Sequence, residues 1–335
     1  MEKKKMSKGR RIRMVIAVVV ILAIIVAAGP LIFFVQNLSN ANDGSYQDVP
    51  TPYKKEAQTG GTIIALEYTA RQAEDSTKEY NKTAYVYLPH GYGDTKKYNI
   101  LYFMHGAGES ATSLIRGEGK KSETKNIIDN MIANGDIEPM IIVFPTIYNG
   151  DEEDGRSLNG VLGYDYELLH CLIPAVENQF STYAENTDLQ GLKASREHRA
   201  FGGYSMGSMT TWHIFSTCLD YIKWYIPMSG DCADAEGRLK ATAEDKAAFL
   251  NEVVEQSGYE NDDFFIYCFI GGIDSAYPRF VPQFREMLKE EAFIYGDDIS
   301  EGNLYLSIKT LQIHDMKTSA PGALYNALPT IFCTD

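Results

Sequence analysis

The sequence predicts an α/β domain, with a mostly parallel central sheet and helices on both faces, preceded by one N-terminal transmembrane helix. Three observations predict it. Short β-rich runs alternate with longer amphipathic ones from residue 62 onward, a G-x-S-x-G pentapeptide sits where a buried run gives way to a helical pattern, and an uncharged apolar stretch lies near the N-terminus. The 335 residues are 44% hydrophobic and 23% charged, an ordinary globular composition that excludes a disordered, collagenous or fibrous chain.

Residues 1–13 form a basic segment in which Lys3, Lys4, Lys5, Lys8, Arg10, Arg11 and Arg13 face only Glu2. That local charge of +6 within a total of -14 leaves -20 on the remainder, a field that repels phosphate backbones and excludes nucleic acid as a partner. Residues 14–35, MVIAVVVILAIIVAAGPLIFFV, carry no charge and reach about 33 Å as a helix, enough to cross a bilayer. A cleaved signal peptide is the competing reading, with Ala27 and Ala28 before the cut. The apolar run resumes at Leu31 instead of turning polar, which favours an uncleaved anchor. Cations ahead of the span place that end in the cytoplasm. The expected location is therefore the cell membrane, single-pass, with everything after Val35 extracellular, or secreted if the segment is cut. Residues 36–61 are polar, rich in Gly, Pro, Ser and Asn and without period, and read as a flexible linker.

Residues 62–335 fit one domain, since no composition break divides them. Strands are predicted over 62–70, 82–89, 99–106, 140–146, 198–205, 222–230, 264–272 and 304–312, opening with an antiparallel pair. Helices are predicted near 124–134, 165–180, 206–218, 242–256, 280–291 and 322–331. Several middle runs are apolar throughout, as strands buried on both faces must be. Cys171, Cys218, Cys232, Cys268 and Cys333 are an odd set with no ligand spacing, so no metal or other cofactor is expected. They read as buried single thiols, with Cys232 a candidate for a disulfide outside the cell.

Such a sheet presents reactive side chains just past the carboxyl ends of its strands. Gly203-Tyr204-Ser205-Met206-Gly207 ends the run RAFGGYS and opens a helical pattern, the strand, sharp turn and helix of a nucleophile elbow. Glycines are needed on either side because strand and helix approach too closely there for side chains. A serine nucleophile needs a base. His90, His105, His170, His198 and His213 lie in early turns, a glycine loop, helices or a strand start, and read as structural or surface groups. His314 follows the last strand, where a loop can aim it at Ser205, and it comes after the serine in the chain as this arrangement requires. The acid that orients it should lie between them at a strand end. Asp274 in Gly271-Gly272-Ile273-Asp274 fits best, Asp231 in Met228-Ser229-Gly230-Asp231 is the runner-up, and Asp315 is too close in sequence to His314. For a developing oxyanion the backbone N–H of Met206 is the expected first donor, with Ala107 or Gly106 of Met104-His105-Gly106-Ala107-Gly108 the second.

On the segments YFMHGAGES, PMIIVFPT, LIPAVENQFSTYAE, SREHRAFGGYSMGS, FIGGID and IHD, residues 62–332 resemble the feruloyl esterase domains of carbohydrate esterase family 1, within the esterase D and antigen 85 group of α/β-hydrolases. The resemblance implies Ser205 as nucleophile, Asp274 as acid and His314 as base. It also implies metal-independent ester hydrolysis on plant cell-wall polysaccharide, of feruloyl or acetyl xylan esterase type. The sequence departs from the family in three places: Asp315-Met316-Lys317-Thr318-Ser319 follows the histidine where a tryptophan is frequent, Ser208 stands where glycine is usual, and 231–263 is a long polar insertion. The insertion and the acidic segment 148–160 are expected at the mouth of the site. Two other functions fit the same chain, an antigen 85-type acyltransferase and a catalytically silent fold displayed as a carbohydrate-binding surface protein.

Overall fold

A computed structural model of the protein describes residues 46–71, 77–149 and 158–333. All eight predicted runs form strands of one sheet: β1 (Thr62–Arg71), β2 (Glu79–Leu88), β3 (Ile100–Met104), β4 (Ile141–Phe144), β5 (Arg199–Tyr204), β6 (Trp224–Met228), β7 (Phe265–Gly271) and β8 (Leu304–Lys309). Their order is β1-β2-β4-β3-β5-β6-β7-β8. β2 runs antiparallel to both β1 and β4, and every later pairing is parallel. Every residue of β3, β4, β5, β6 and β7 is buried, whereas β1 alternates between exposed and buried positions as a one-sided edge strand does.

The helices start where side chains supply the missing acceptors. Ser122 accepts from the Lys125 N–H to begin Glu123–Asn134, and Thr242 with Asp245 forms a reciprocal capping box ahead of Ala243–Ser257. The last helix spans Met316–Ala327, earlier than its predicted range, because Asp315 caps it and Pro321 is tolerated inside it. The predicted helix 165–180 is a chain of shorter pieces, Tyr164–Glu167, a π turn over Leu168–Leu172, and Ile173–Glu177. A short helix Leu189–Ala194, capped by Asp188, was not anticipated.

The predicted linker needs correction over its second half. Residues 46–61 pack on the domain: Tyr46, Val49 and Tyr53 rest against its core, and Pro50 leads into a 3₁₀ turn at Thr51–Lys54. The Tyr53 and Tyr325 rings meet edge to face at 5.2 Å, and Asn326 exchanges hydrogen bonds of 2.8 and 2.9 Å with the Gln47 backbone. Asn130 Nδ2 donates to the carbonyls of Tyr53 and Lys55 at 3.0 and 2.8 Å. The basic segment 1–13, the anchor 14–35 and the first half of the linker lie outside the described residues; among the described residues no helix is long and apolar enough to cross a membrane. All five cysteines are free, as the single-thiol reading expects, and the alternative of a Cys232 disulfide does not form; Cys218, Cys232 and Cys268 are buried, whereas Cys171 is half-buried and Cys333 exposed.

Two buried ion pairs tie the helical layer to the sheet. Arg199, the first residue of β5, meets Glu177 in two parallel bonds, Nε to Oε1 at 2.7 Å and Nη2 to Oε2 at 2.9 Å. Tyr102 and Thr182 also donate to that carboxylate, and Arg199 Nη1 reaches the carbonyls of Leu192 and Tyr221. Burial works against the guanidinium's charge, but the Glu177 carboxylate outweighs it and holds the pKa above its ordinary value. Lys82 and Glu167 form the second pair at 2.7 Å, with Tyr68 donating to the same carboxylate.

Candidate active site

β5 ends at Tyr204, and Ser205 turns the chain with φ 55° and ψ -110° before the helix Met206–Cys218 begins. A non-glycine residue is uncommon in that region, so the turn stores strain. The two pentapeptide glycines permit it. A Cβ on Gly203 would sit 2.6 Å from the Gly207 carbonyl carbon, and one on Gly207 would overlap the Met104 carbonyl oxygen. Ser208 adds a bond where glycine is usual: its buried hydroxyl donates to the Gly230 carbonyl at 2.6 Å, which Trp212 Nε1 also reaches at 3.0 Å. The elbow helix is thereby fastened to the loop after β6.

Two further loops converge on Ser205. The Gly272 N–H donates to the Lys309 carbonyl and the Ile273 N–H to the Gln312 carbonyl, so the turn after β7 is laced to the turn after β8. Asp274 and His314 lie on these turns. His314 Nδ1 is 2.7 Å from Asp274 Oδ1, and His314 Nε2 is 2.9 Å from Ser205 Oγ. The carboxylate can only accept from a neutral ring, so Nδ1 carries the proton and Nε2 offers its lone pair to the serine hydroxyl. Asp274 is buried, and its remaining capacity is filled by the Ala276 N–H at 2.7 Å and the Tyr204 hydroxyl at 3.4 Å. Tyr204 also packs its ring 5.2 Å from that of His314, and burial pushes its phenol up to about 12, so it stays a donor. The His314 side chain is 30% exposed, so the imidazole can be reached from solvent.

The other candidates separate clearly. Asp231, the runner-up acid, points away from this cluster into an ion pair with Lys246 and a 3.1 Å bond from Arg279 Nε. It joins the helices Ala243–Ser257 and Tyr277–Met287 to the end of β6 and does not orient the histidine. Asp315 accepts from the Thr318 hydroxyl and caps its own helix. Met206 is the first residue of the elbow helix, where backbone N–H groups lack intrahelical acceptors and the helix dipole favours negative charge. In the loop after β3, the Gly106 N–H is engaged by Glu109 Oε2 at 3.2 Å, which distinguishes it from the N–H of Ala107 beside it. Burial holds the Glu109 carboxyl above its ordinary pKa, partly offset by the Gly106 bond and by Lys317.

Sequence reasoning missed Tyr204, Ala276 and Glu109 as supports of the site. Tyr204 alone left a signal, as the residue before the elbow serine. Of the remaining histidines, His213 pairs with Asp165 at 2.9 Å and His198 stacks on Tyr183 with ring centroids 3.5 Å apart. His105 anchors the glycine loop: Nδ1–H donates to the Gly106 carbonyl at 2.8 Å, and Nε2 accepts from the Thr146 hydroxyl at 2.9 Å. Burial, with Lys82 adding to it, pushes the His105 pKa from 6.5 down to about 4. The unfolded chain therefore takes up a proton that the folded one refuses, so stability is complete above pH 6.5 and falls as pH drops toward about 4. Thermal midpoints measured across that interval should decline in the native protein and decline less steeply in His105→Gln. Parallel declines would assign the effect to other groups.

The insertion after β6 contributes residues 232–237 and Leu239 to a cavity of about 350 Å³ shared with Val161, Leu162, Met209 and Trp212; neither Ser205 nor His314 lines it. Most of the acidic segment 148–160 lies outside the described residues.

No protein-family profile matches the chain. A solved serine-to-alanine mutant of the feruloyl esterase module from Clostridium thermocellum, complexed with sinapinate, is 34% identical and aligns with a TM-score of 0.76 over 86% of this chain and 94% of that one. The chain belongs to the feruloyl esterases of carbohydrate esterase family 1. This family member is also 36% identical over 297 residues to endo-1,4-beta-xylanase Y of Acetivibrio thermocellus, across 86% of its own length. It spans a quarter or less of the curated relatives it matches, 24% of one and 17% of another. A carbohydrate esterase family 1 ferulic acid esterase from Anaeromyces mucronatus, 20% identical with a TM-score of 0.61 over 86% of this chain and 98% of that one, shares the fold. By family the domain is a carboxylic ester hydrolase with an α/β-hydrolase fold.

Proposed function

We propose that the domain is a serine esterase that hydrolyses carboxylic esters of hydroxycinnamic acids on plant cell-wall polysaccharide, held outside the cell by the N-terminal segment 14–35. The observation that carries this reading is the continuous path from Ser205 Oγ through His314 to Asp274, at 2.9 and 2.7 Å, in a member of a feruloyl esterase family. Ser205 Oγ attacks the ester carbonyl carbon while its proton passes to His314 Nε2. The oxyanion is met by the N–H groups of Met206 and Ala107, each worth about 3 kcal/mol. Collapse of the tetrahedral intermediate breaks the bond to the sugar oxygen, which leaves with the proton from His314. Water then attacks the acyl-enzyme, gives a proton to His314 and frees the acid and Ser205. Asp274, fixed by Ala276 and Tyr204, keeps the imidazole in the productive tautomer and stabilises its cation.

An aromatic acyl group is favoured over acetyl by the rim of the site. Ile273, beside Asp274, and Leu311 and Ile313, before His314, are 39%, 77% and 56% exposed, an apolar edge suited to a planar ring and without use to a methyl group.

A fluorophosphonate probe is expected to label Ser205, and a feruloylated arabino-oligosaccharide to release free hydroxycinnamate. A protein that ignores the probe and releases no acid would be the silent binding fold. A new sugar ester formed in place of free acid would make it an acyltransferase. A protein carrying residues 1–335 should sediment with membranes and resist extraction by high salt; recovery in the soluble fraction would overturn the anchor.

A further inference from the structure

A second feature borders the same site. An open cavity of about 520 Å³ is lined by Thr112, Ser113, Arg116, Lys120, Lys121 and Lys317. Four of these six residues are cations, two are hydroxyl donors and none is acidic, on a chain whose net charge is -14. Lys121 pairs with Glu56 at 2.9 Å, whereas Arg116, Lys120 and Lys317 have no ion pair among the described residues. A neighbouring cavity of about 430 Å³ shares Ser113, Arg116 and Lys317 and extends the first into a trough; its further cations, Lys54 and Lys309, pair with Glu123 and Asp48 in the same lining, so the unpaired positive charge is concentrated at Arg116, Lys120 and Lys317.

The cations are held on a stiff frame. Arg116 lies between buried Ile115 and buried Gly117 with φ 61°, a left-handed backbone that a side-chain-bearing residue rarely adopts. Its N–H donates to the Thr112 carbonyl at 2.7 Å, and the Ser122 hydroxyl holds the Leu114 carbonyl at 2.6 Å. Strained residues persist where the surrounding structure over-determines them, and they cluster where ligands are clamped. Lys317 stands in the first turn of the helix that follows His314, and its charge acts on Glu109, the residue that holds the glycine loop. The His314 charge acts on the same Glu109 carboxyl, so the Lys317 end of the trough lies near the catalytic histidine.

We propose that the trough binds the carboxylate of an acidic sugar, a uronic acid, carried on the same polysaccharide as the ester. The assignment rests on reading the domain as a polysaccharide esterase and adds the class of polysaccharide. A guanidinium fork matches a carboxylate in two parallel bonds, Lys120 and Lys317 supply point charges, and the Thr112 and Ser113 hydroxyls suit the neighbouring sugar oxygens. Unpaired cations on an otherwise acidic surface concentrate an anionic ligand locally and repel nothing that the remainder of the surface attracts.

The test compares kcat/KM of the full chain on feruloylated oligosaccharides with and without a uronic acid residue, alongside methyl ferulate. A preference of about tenfold for the acidic oligosaccharide is expected at low salt, with most of it lost at about 0.5 M sodium chloride. The preference should collapse in Arg116→Gln/Lys120→Gln and weaken in Lys317→Gln. Because the readout is a ratio within each protein, any loss of folded enzyme cancels. Equal turnover of both oligosaccharides by the native chain, or a preference that survives in the double variant, overturns the assignment. Oligogalacturonate should compete, whereas inorganic phosphate at matched ionic strength should not; equal competition by phosphate would reduce the trough to a general anion site and also overturn it. Failure of the native chain to hydrolyse even methyl ferulate would sink the esterase reading instead.

Discussion

Exchange of Ser205 for alanine is expected to lower kcat on a feruloyl ester by about 10⁶-fold while the protein unfolds at an unchanged or slightly higher temperature. The asymmetry follows from where the hydroxyl sits. Among the described residues Ser205 Oγ bonds only to His314, on a turn held at φ 55° by Gly203, Gly207 and the β6 loop, so the hydroxyl's loss removes chemistry and little packing. A nucleophile and its base act as a unit, so Ser205→Ala/His314→Ala should be no slower than either single variant. Multiplying losses in the double variant would mean that the two side chains act independently and that the proton path is misassigned. Rates retained within about tenfold of native in Ser205→Ala would refute the nucleophile outright.

Replacement of Glu177 by alanine is expected to cost about 3–5 kcal/mol of folding stability, a large part of what a domain of this kind possesses. The figure comes from the charge left behind. Arg199 would remain buried with its carbonyl partners but without the carboxylate that outweighs its desolvation, and Tyr102 and Thr182 would lose their acceptor. Arg199 opens the strand that ends in the elbow, so any surviving folded protein should also lose activity before it melts. Urea unfolding of both proteins supplies the measurement; a difference below about 1 kcal/mol would show that water or a rearranged side chain compensates the guanidinium.

The sheet was legible because its strands obey local rules. Runs such as ILYFM and FIYCFIG are apolar at every position, and that pattern requires burial on both faces. The chemistry-bearing residues were legible for a related reason, since Ser205, Asp274 and His314 each fall just past a strand end, and the structure brings all three within hydrogen-bond reach. What escaped depends on contacts between distant segments. Asp231 also follows a strand, and only the arrival of Lys246 and Arg279 from separate helices diverts it. Gly106 and Ala107 look equivalent in sequence, and Glu109 tells them apart by taking one N–H. Residues 46–61 have the composition of a tether, because their three core-facing residues, Tyr46, Val49 and Tyr53, follow no helical or strand period.

That same segment sets where a soluble version of the domain must begin. A truncation starting at Thr62 would strip the cover from Phe269 and Tyr325, take from the side-chain amides of Asn130 and Asn326 the bonds that cross to residues 46–61 and leave them only their own helix carbonyls, and leave the Asp129 carboxylate without the Gly61 N–H. Fresh apolar area on the flank of the last helix invites self-association during expression. A recombinant boundary at Tyr46 keeps this seam closed.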